Sequence, residues 1–360
     1  MTISQSHHPG EGRGPASSRW RLDPGLRRGS DKGRGGERGK GVVLNLALAP
    51  LVAILFALSL MAGKAWVPLD AWWSHDPRWA IILDLRAPRA ALGLLLGAAL
   101  GLSGAVLQGW LRNPLADPGV LGVSSSAALG AVAAIILGVG GTWGVFAAAM
   151  AAAAGAMALL AALTWRAESP AAFVLAGTVL ASLAAALTAF LISIAPNPYV
   201  VAEVLDWLMG ALTDRGPDDL IHMAPFVLAG CAVLMTTGRG LDALTLGEGA
   251  ARSLGVGLGR LQATIIVGAG LAVGAGVAVT GVVGFVGLVV PHLLRPLAGS
   301  RPSALLLPSA LGGAALVLAA DSLCRLAPGA SEVRLGVAMA LIGAPFFLAL
   351  LLGERGRSWR

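Results

Sequence analysis

The sequence predicts an all-α polytopic membrane protein with about ten transmembrane helices. Three observations carry this. Apolar residues make up 56% of the 360-residue chain and charged residues only 12%, about half of the roughly 25% usual in soluble domains. Glycine supplies 50 residues without a three-residue period, and aliphatics are too abundant for low-complexity disorder. Finally, apolar segments of about 20 residues, enough to cross a bilayer, recur along the chain, rich in the Gly and Ala on which membrane helices pack closely.

The elements follow in order. Residues 1–40 hold nine Lys/Arg and four Asp/Glu, so most of the net charge of +7 sits there. With few apolar groups to bury, this stretch is expected to be a disordered basic cytoplasmic tail. The remaining residues carry 17 basic and 15 acidic groups. No basic stripe with interleaved aromatics remains, and nucleic acid is not an expected partner. A transmembrane domain is expected over 41–354, and 355–360 as a short cytoplasmic tail.

The first span is Val42–Gly63, long enough to cross and without a convincing signal-peptide cleavage site. Ala90–Trp110, Pro118–Val139, Trp143–Trp165, Ala171–Ala195 and Leu220–Thr237 follow, and Ser303–Asp321 and Leu335–Leu352 close the series. The 37 residues Leu261–Leu297 are too long for one span, and Thr280–Gly284, with two glycines, divides them into two. Ten spans put both termini on one side. Lys/Arg favours that side even without the tail, so the positive-inside rule makes both termini cytoplasmic. The outer loops are then Lys64–Arg89, Pro196–Asp219 and Cys324–Arg334, the second patterned as a short surface helix. Ser103–Gly109 echoes Ala275–Gly281 at an offset of 172. Five spans in each half would make the halves inverted copies, a transporter plan, although Gly-rich helices also resemble one another by chance.

Three stretches are the most specific. The first runs Arg86-Ala87-Pro88-Arg89, then Gly97 to Gln108, then Arg112-Asn113-Pro114. The second runs Gly284 to Arg295 and includes Pro291 and His292. The third joins Ala320-Asp321, Arg325, Glu332, Gly336 and Gly343-Ala344-Pro345. Pro114 stops a helix and Asn113 can satisfy the freed backbone groups. Gly97, Gly101 and Gly104 share one helical face, open to close approach by another helix. On the inner side, residues 239–260 form the longest polar interruption. Within them Gly247 and Gly255 bracket a two-turn helix in which Glu248 and Arg252 stand four apart. Such a helix is too short to stand alone in water and calls for a docking partner.

In this order and spacing the three stretches resemble the permeases of ATP-binding-cassette (ABC) importers for ferric siderophores, haem and cobalamin, over roughly residues 42–352. The resemblance implies the type II ABC importer architecture: a homodimer in the inner membrane, with two cytoplasmic ATPase subunits and an external substrate-binding protein. It implies that Leu246, Gly247, Glu248, Ala250, Arg252, Leu254 and Gly255 couple to the ATPase, and that Arg86, Arg89 and Arg325 dock glutamates of the binding protein. Arg334 is an additional candidate without motif support; membrane-interface anchoring is the plainer role for any single arginine. Ser169-Pro170 occupies the place of a cytoplasmic gate, or is an ordinary turn. Arg112, Asn113, Pro114, Pro291, His292 and Arg295 are expected as structural motif residues.

Several chemistries find no support. No phosphate-cradling Gly-x-x-x-x-Gly-Lys-[Ser/Thr] is present and the only lysines are Lys32, Lys40 and Lys64, so ATP hydrolysis is assigned to a separate subunit and no enzymatic activity is expected. Cys231 and Cys324 read as small packing residues. No carboxylate or second histidine stands at metal-ligand spacing to His292, and neither metal nor cofactor is expected. A ferric siderophore is the expected cargo, with haem or cobalamin as the alternative. An ion-coupled secondary transporter would need an acid or cation site near the bilayer centre, and Asp321, at a span end, is the nearest.

Overall fold

The computed structural model describes the backbone of residues 24–65, 67, 79–139, 141–165, 170–299, 301–328 and 331–355, with side chains described for those between 41 and 349 and for Leu352. Thirteen α-helices and no strands are found among these residues. They are α1 (Pro24–Met61), α2 (Ala87–Trp110), α3 (Val123–Ile136), α4 (Thr142–Thr164), α5 (Pro170–Ser193), α6 (Pro198–Leu208), α7 (Pro217–Met235), α8 (Gly238–Leu244), α9 (Glu248–Ser253), α10 (Leu258–Thr280), α11 (Val286–Ala298), α12 (Pro302–Leu326) and α13 (Leu335–Arg355). Seven are long and apolar enough to cross a membrane, and three shorter apolar helices, at 123–136, 286–298 and 335–349, complete the ten expected segments.

Two boundaries differ from expectation. Helix α1 begins at Pro24, inside the stretch expected to be disordered, because adding residues to a formed helix costs far less than nucleating one. Only Gly41–Met61 of it has the hydropathy of a span, and residues 1–23 lie outside the described residues. The third segment is not one continuous span from Pro118. Pro118–Leu121 forms a single 3-10 turn and Gly122 takes a left-handed conformation (φ 74°) before α3 starts. Gly122 is required there on a second count, since a Cβ would meet the backbone of Gly177 and Ala181 at 3.0 Å.

Helices α2 and α10 form the centre, being the spans most enclosed by the rest of the protein. The face shared by Gly97, Gly101 and Gly104 explains how. A Cβ on Gly97 would stand 2.2 Å from the Gly313 carbonyl oxygen, and one on Gly101 2.1 Å from that of Ser309, both on α12. A Cβ on Gly104 would stand 2.0 Å from the Gly287 carbonyl oxygen of α11. The predicted glycine face therefore seats two helices instead of one. Helices α1, α5 and α13 lie at the periphery. On α5, Leu175, Val179, Leu183, Leu187 and Phe190 form a continuous exposed apolar stripe, which Ile194 extends just past its end.

The split of Leu261–Leu297 falls where expected, at residues 281–285 between α10 and α11. Phe285 opens α11 in a left-handed conformation (φ 67°), and its ring fills the space left by Gly343 of α13, where a Cβ would clash at 2.3 Å. Pro118 packs on Gly287, so the 3-10 turn before α3 and the first turn of α11 meet beside Gly104, about 9 Å along α2 from its Trp110 end. From this point α3 runs to the face that carries α6, and α11 to the face that carries α8 and α9. At about 20 Å each, neither spans the roughly 30 Å of hydrocarbon.

Candidate functional site

At the α9 face, α8 packs through Leu241 and Leu244, and Asp242 anchors the first turn of α12 by accepting from Ser303 N at 2.9 Å and from its hydroxyl. The segment between α7 and α10 therefore holds two short helices where the sequence suggested one. Gly247 and Gly255 flank α9 with φ of 96° and 85°, conformations that side chains rarely adopt. Ala251 is buried, while Leu246 (68% exposed) and Leu254 (65%) point away from the protein. Ala250 and Arg252 are also on the exposed side. Two exposed leucines flanking a glycine-bounded helix make a compact apolar patch of the kind that partners cover.

Glu248 is held from across the fold. Arg112 Nη2 donates to its Oε1 at 3.1 Å. Arg112 is the left-handed residue (φ 49°) that turns the chain out of α2; Asn113 Oδ1 then accepts from Leu115 N at 2.9 Å, stabilising the turn before Pro114. Trp110, Arg112, Leu244, Glu248, Leu258 and Pro170 line one recess. Trp110 also meets Phe173 of α5 edge to face at 6.3 Å. Pro170, the described half of the candidate gate, thus sits beside the α9 segment; Ser169 lies outside the described residues.

Deeper in, Gln108 joins the two halves. Its Nε2 donates to the carbonyl oxygens of Ala116, Gly287 and Leu288 at 3.3–3.4 Å. Its Oε1 accepts from Arg295 Nη2 at 2.6 Å. The amide thereby satisfies irregular backbone inside the bundle, where no lipid group could. Sequence reasoning placed Gln108 in a motif without giving it a role. The available signal was a lone amide on a helix of Gly, Ala and Leu. Arg295 thus braces Gln108, Pro291 is buried in α11, and His292 packs against Phe346 of α13 at 6.3 Å.

Arg86, Arg89 and Arg325, expected to dock glutamates of a partner, lie at the α6 face with contacts inside the chain. All three guanidinium groups are turned inward. Arg86 donates to the carbonyl oxygens of Leu60 (3.0 Å), Met61 (3.1 Å) and Ala65. Arg325, 3% exposed, donates to Ser59 O at 3.0 Å, Ala62 O at 3.2 Å and the Ser59 hydroxyl, and pairs with Asp321 at 2.9 Å. Arg89 forms a fork on Asp321 (2.8–3.2 Å) and reaches Glu332 at 2.8 Å. The physical reason is the end of α1, whose last carbonyls lack helical partners and take cationic donors, together with two acids on or after α12. Thr213 also donates to Glu332, at 3.0 Å. Although burial pushes the Glu332 carboxyl up, the hydrogen bond and charge of Arg89 outweigh it and hold it below the ordinary glutamate value. Arg334 pairs with Asp206 of α6.

Close by, Gly210, Gly281 and Gly336 tie α6, α10 and α13 together. Ala211 N donates to Thr280 O at 2.8 Å and Gly336 N to Gly210 O at 3.0 Å. Among the described residues no group of three His, Cys, Asp or Glu is placed to hold a metal ion.

The chain is similar to known proteins over most of its length. It is 37% identical over 318 residues to the vitamin B12 import system permease of Klebsiella pneumoniae, covering 88% of this chain and 94% of that one. It is 41% identical over 316 residues to the cobalamin import system permease of Halobacterium salinarum, covering 86% and 80%. An uncharacterised ABC transporter permease of Bacillus subtilis is 35% identical over 334 residues, covering 85% and 93%. A solved inward-facing structure, classed as a metal-chelate type ABC transporter, superposes with a TM-score of 0.78 at 31% identity, covering 87% of this chain and 99% of that one. The spacing of the three sequence stretches, the ten apolar helices and these likenesses agree, and residues 51–353 match the family directly: the chain belongs to the FecCD transport family.

Proposed function

We propose that the chain is the transmembrane permease subunit of an ATP-driven importer, working as a homodimer with two ATPase subunits and an external binding protein. The observation that carries the reading is the α9 segment: a glycine-bounded helix with Leu246 and Leu254 exposed, tied through Glu248 and Arg112 to the end of α2 and lying beside Pro170. A push on that patch reaches α2 and the start of α5 through packed contacts. The α9 face is the cytoplasmic one in this reading, in keeping with the Lys/Arg bias. The exposed stripe of α5, with Leu341 and Leu348 of α13, supplies the apolar surface for a second copy, and cargo would pass between the two. No reaction centre is needed in this chain, because the ATPase subunit supplies the chemistry.

The buried Arg86, Arg89 and Arg325 act on the external partner indirectly. They fix the end of α1 and the position of Glu332, and so shape the surface on which a binding protein sits. The cargo is a metal chelate. A ferric siderophore is the expectation from sequence, whereas the vitamin B12 permeases among the relatives favour cobalamin. The test is reconstitution with candidate ATPase and binding-protein subunits in vesicles, followed by uptake of labelled cobalamin and of a ferric siderophore. Leu246→Asp with Leu254→Asp is expected to abolish ATPase association. Association that survives this pair would overturn the coupling assignment.

A further inference from the structure

A groove of about 290 Å³ runs between α4 and α10. Both helices have the length and hydropathy of spans, and the inference stands independently of the importer reading. The lining is wholly apolar. Ala154, Ala158 and Ala161 of α4 face Ala263 and Gly270 of α10 across a floor that includes the buried Ile266, and Ala154 and Ala158 are exposed at its mouth. Just past the middle of α10 the groove closes: a Cβ on Gly274 would stand 3.3 Å from the Ala153 methyl. At the other end Gln262 Nε2 donates to Thr164 Oγ1 at 2.6 Å, both side chains buried. That bond fixes the last turn of α4 against the first turns of α10, at the α9 face. Arg260 lies one turn before Ala263 and Trp165 one turn after Ala161, so each continues the groove side of its helix. Both are exposed. Among the described residues no carboxylate pairs with Arg260.

Length and charge select the occupant. From Arg260 to Leu271, the last lining residue of α10, the helix rises about 16 Å, half of the roughly 30 Å of hydrocarbon. A partner's transmembrane helix would need a groove running the full depth, whereas an acyl chain of one leaflet needs only half. Trp at a span end marks the level of lipid headgroups, and at that level stands the unpaired Arg260. Helix α10 also begins there, without a side-chain cap, and turns its positive end to the same layer. We propose that the groove holds one acyl chain of an anionic phospholipid from the leaflet on the α9 side, its phosphate on Arg260. The chain fills a trough that small side chains leave open, and the phosphate takes a charge-assisted hydrogen bond from the guanidinium group.

Native mass spectrometry of the purified protein tests this, with phosphatidylglycerol, phosphatidylethanolamine and oleate offered in equal amounts. Phosphatidylglycerol is expected to be retained about fivefold over phosphatidylethanolamine, the ratio that about 1 kcal/mol per surface cation gives. Arg260→Gln should remove that preference. Ala158→Phe, which fills the groove from an exposed position, should lower retention of both phospholipids. Neither side chain belongs to the core, so thermal midpoints should hold in both variants. Equal retention of the two phospholipids, preferential retention of oleate, or an unchanged pattern in either variant would overturn the proposal. So would efficient disulfide linkage of two copies through Ala158→Cys, which would assign the groove to a second protomer.

Discussion

Arg112, at the end of α2, and Glu248, at the start of α9, are 136 positions apart in sequence and meet at 3.1 Å. Both side chains are substantially exposed, so the pair itself stabilises the fold by less than about 1 kcal/mol. Its effect is expected in coupling. Glu248→Arg should lower transport per ATP hydrolysed severalfold while leaving the thermal midpoint unchanged, and the exchange Arg112→Glu with Glu248→Arg should restore it. Parallel measurement of uptake and hydrolysis in vesicles checks this; a variant with unaltered stoichiometry would exclude the link.

Asp321 serves two cations, Arg89 and Arg325, and is 2% exposed. Removing one member of a buried charge cluster leaves its partners uncompensated, at a cost of about 3–5 kcal/mol. Asp321→Ala should therefore give a large fall in thermal midpoint and in folded yield. The combined replacement of Asp321, Arg89 and Arg325 by apolar residues should lose less than the sum of the single variants. Thermal scans in detergent across the series decide between the two patterns.

Glu332 links stability to acidity. Its folded pKa lies below the ordinary value of 4.5, so its contribution is complete above that value and is lost as pH falls through the lower folded one. Thermal midpoints should stay flat from pH 7 to about pH 5 on this account and decline below. Glu332→Gln should flatten part of the acid limb. An identical acid limb in the variant would assign the decline to other carboxylates.

Two glycine substitutions form a matched pair. Gly104→Ala places a methyl 2.0 Å from the Gly287 carbonyl oxygen, against backbone that cannot yield cheaply. Gly155→Ala, inside α4, meets nothing within 4 Å and should be neutral or stabilising by up to about 1 kcal/mol. Folded yield after membrane extraction should fall sharply for the first and hold for the second.

The helical class and the ten apolar segments were readable because hydropathy and length are local properties. The break before α11 was readable too, in Gly281 and Gly284. The truncation of the third segment was not: Pro118 and Gly119 look compatible with a helix start, and only packing on Gly177 and Gly287 makes the chain turn again at Gly122. The contacts of the arginines were not legible for a related reason. Sequence shows that Arg86, Arg89 and Arg325 lie near span ends, yet which way they face depends on α1 ending beside α12, a contact between distant elements. The residues around Glu248 were readable from their glycines, but not its partner Arg112, because i,i+4 reasoning looks only along one helix. Gln108 carried a visible oddity, an amide among small apolar residues, with nothing local to name the three carbonyls it holds.

The meeting of the α3 entry turn with the first turn of α11 has a mechanical consequence. Two half-length rods leave a common point for opposite faces, and neither touches the far side. The shortest route by which a displacement of one rod reaches the other is through their shared origin. Gln108, bonded to the carbonyls of Ala116, Gly287 and Leu288 and braced by Arg295, is the rivet at that point: both arms are fastened to α2 by one side chain.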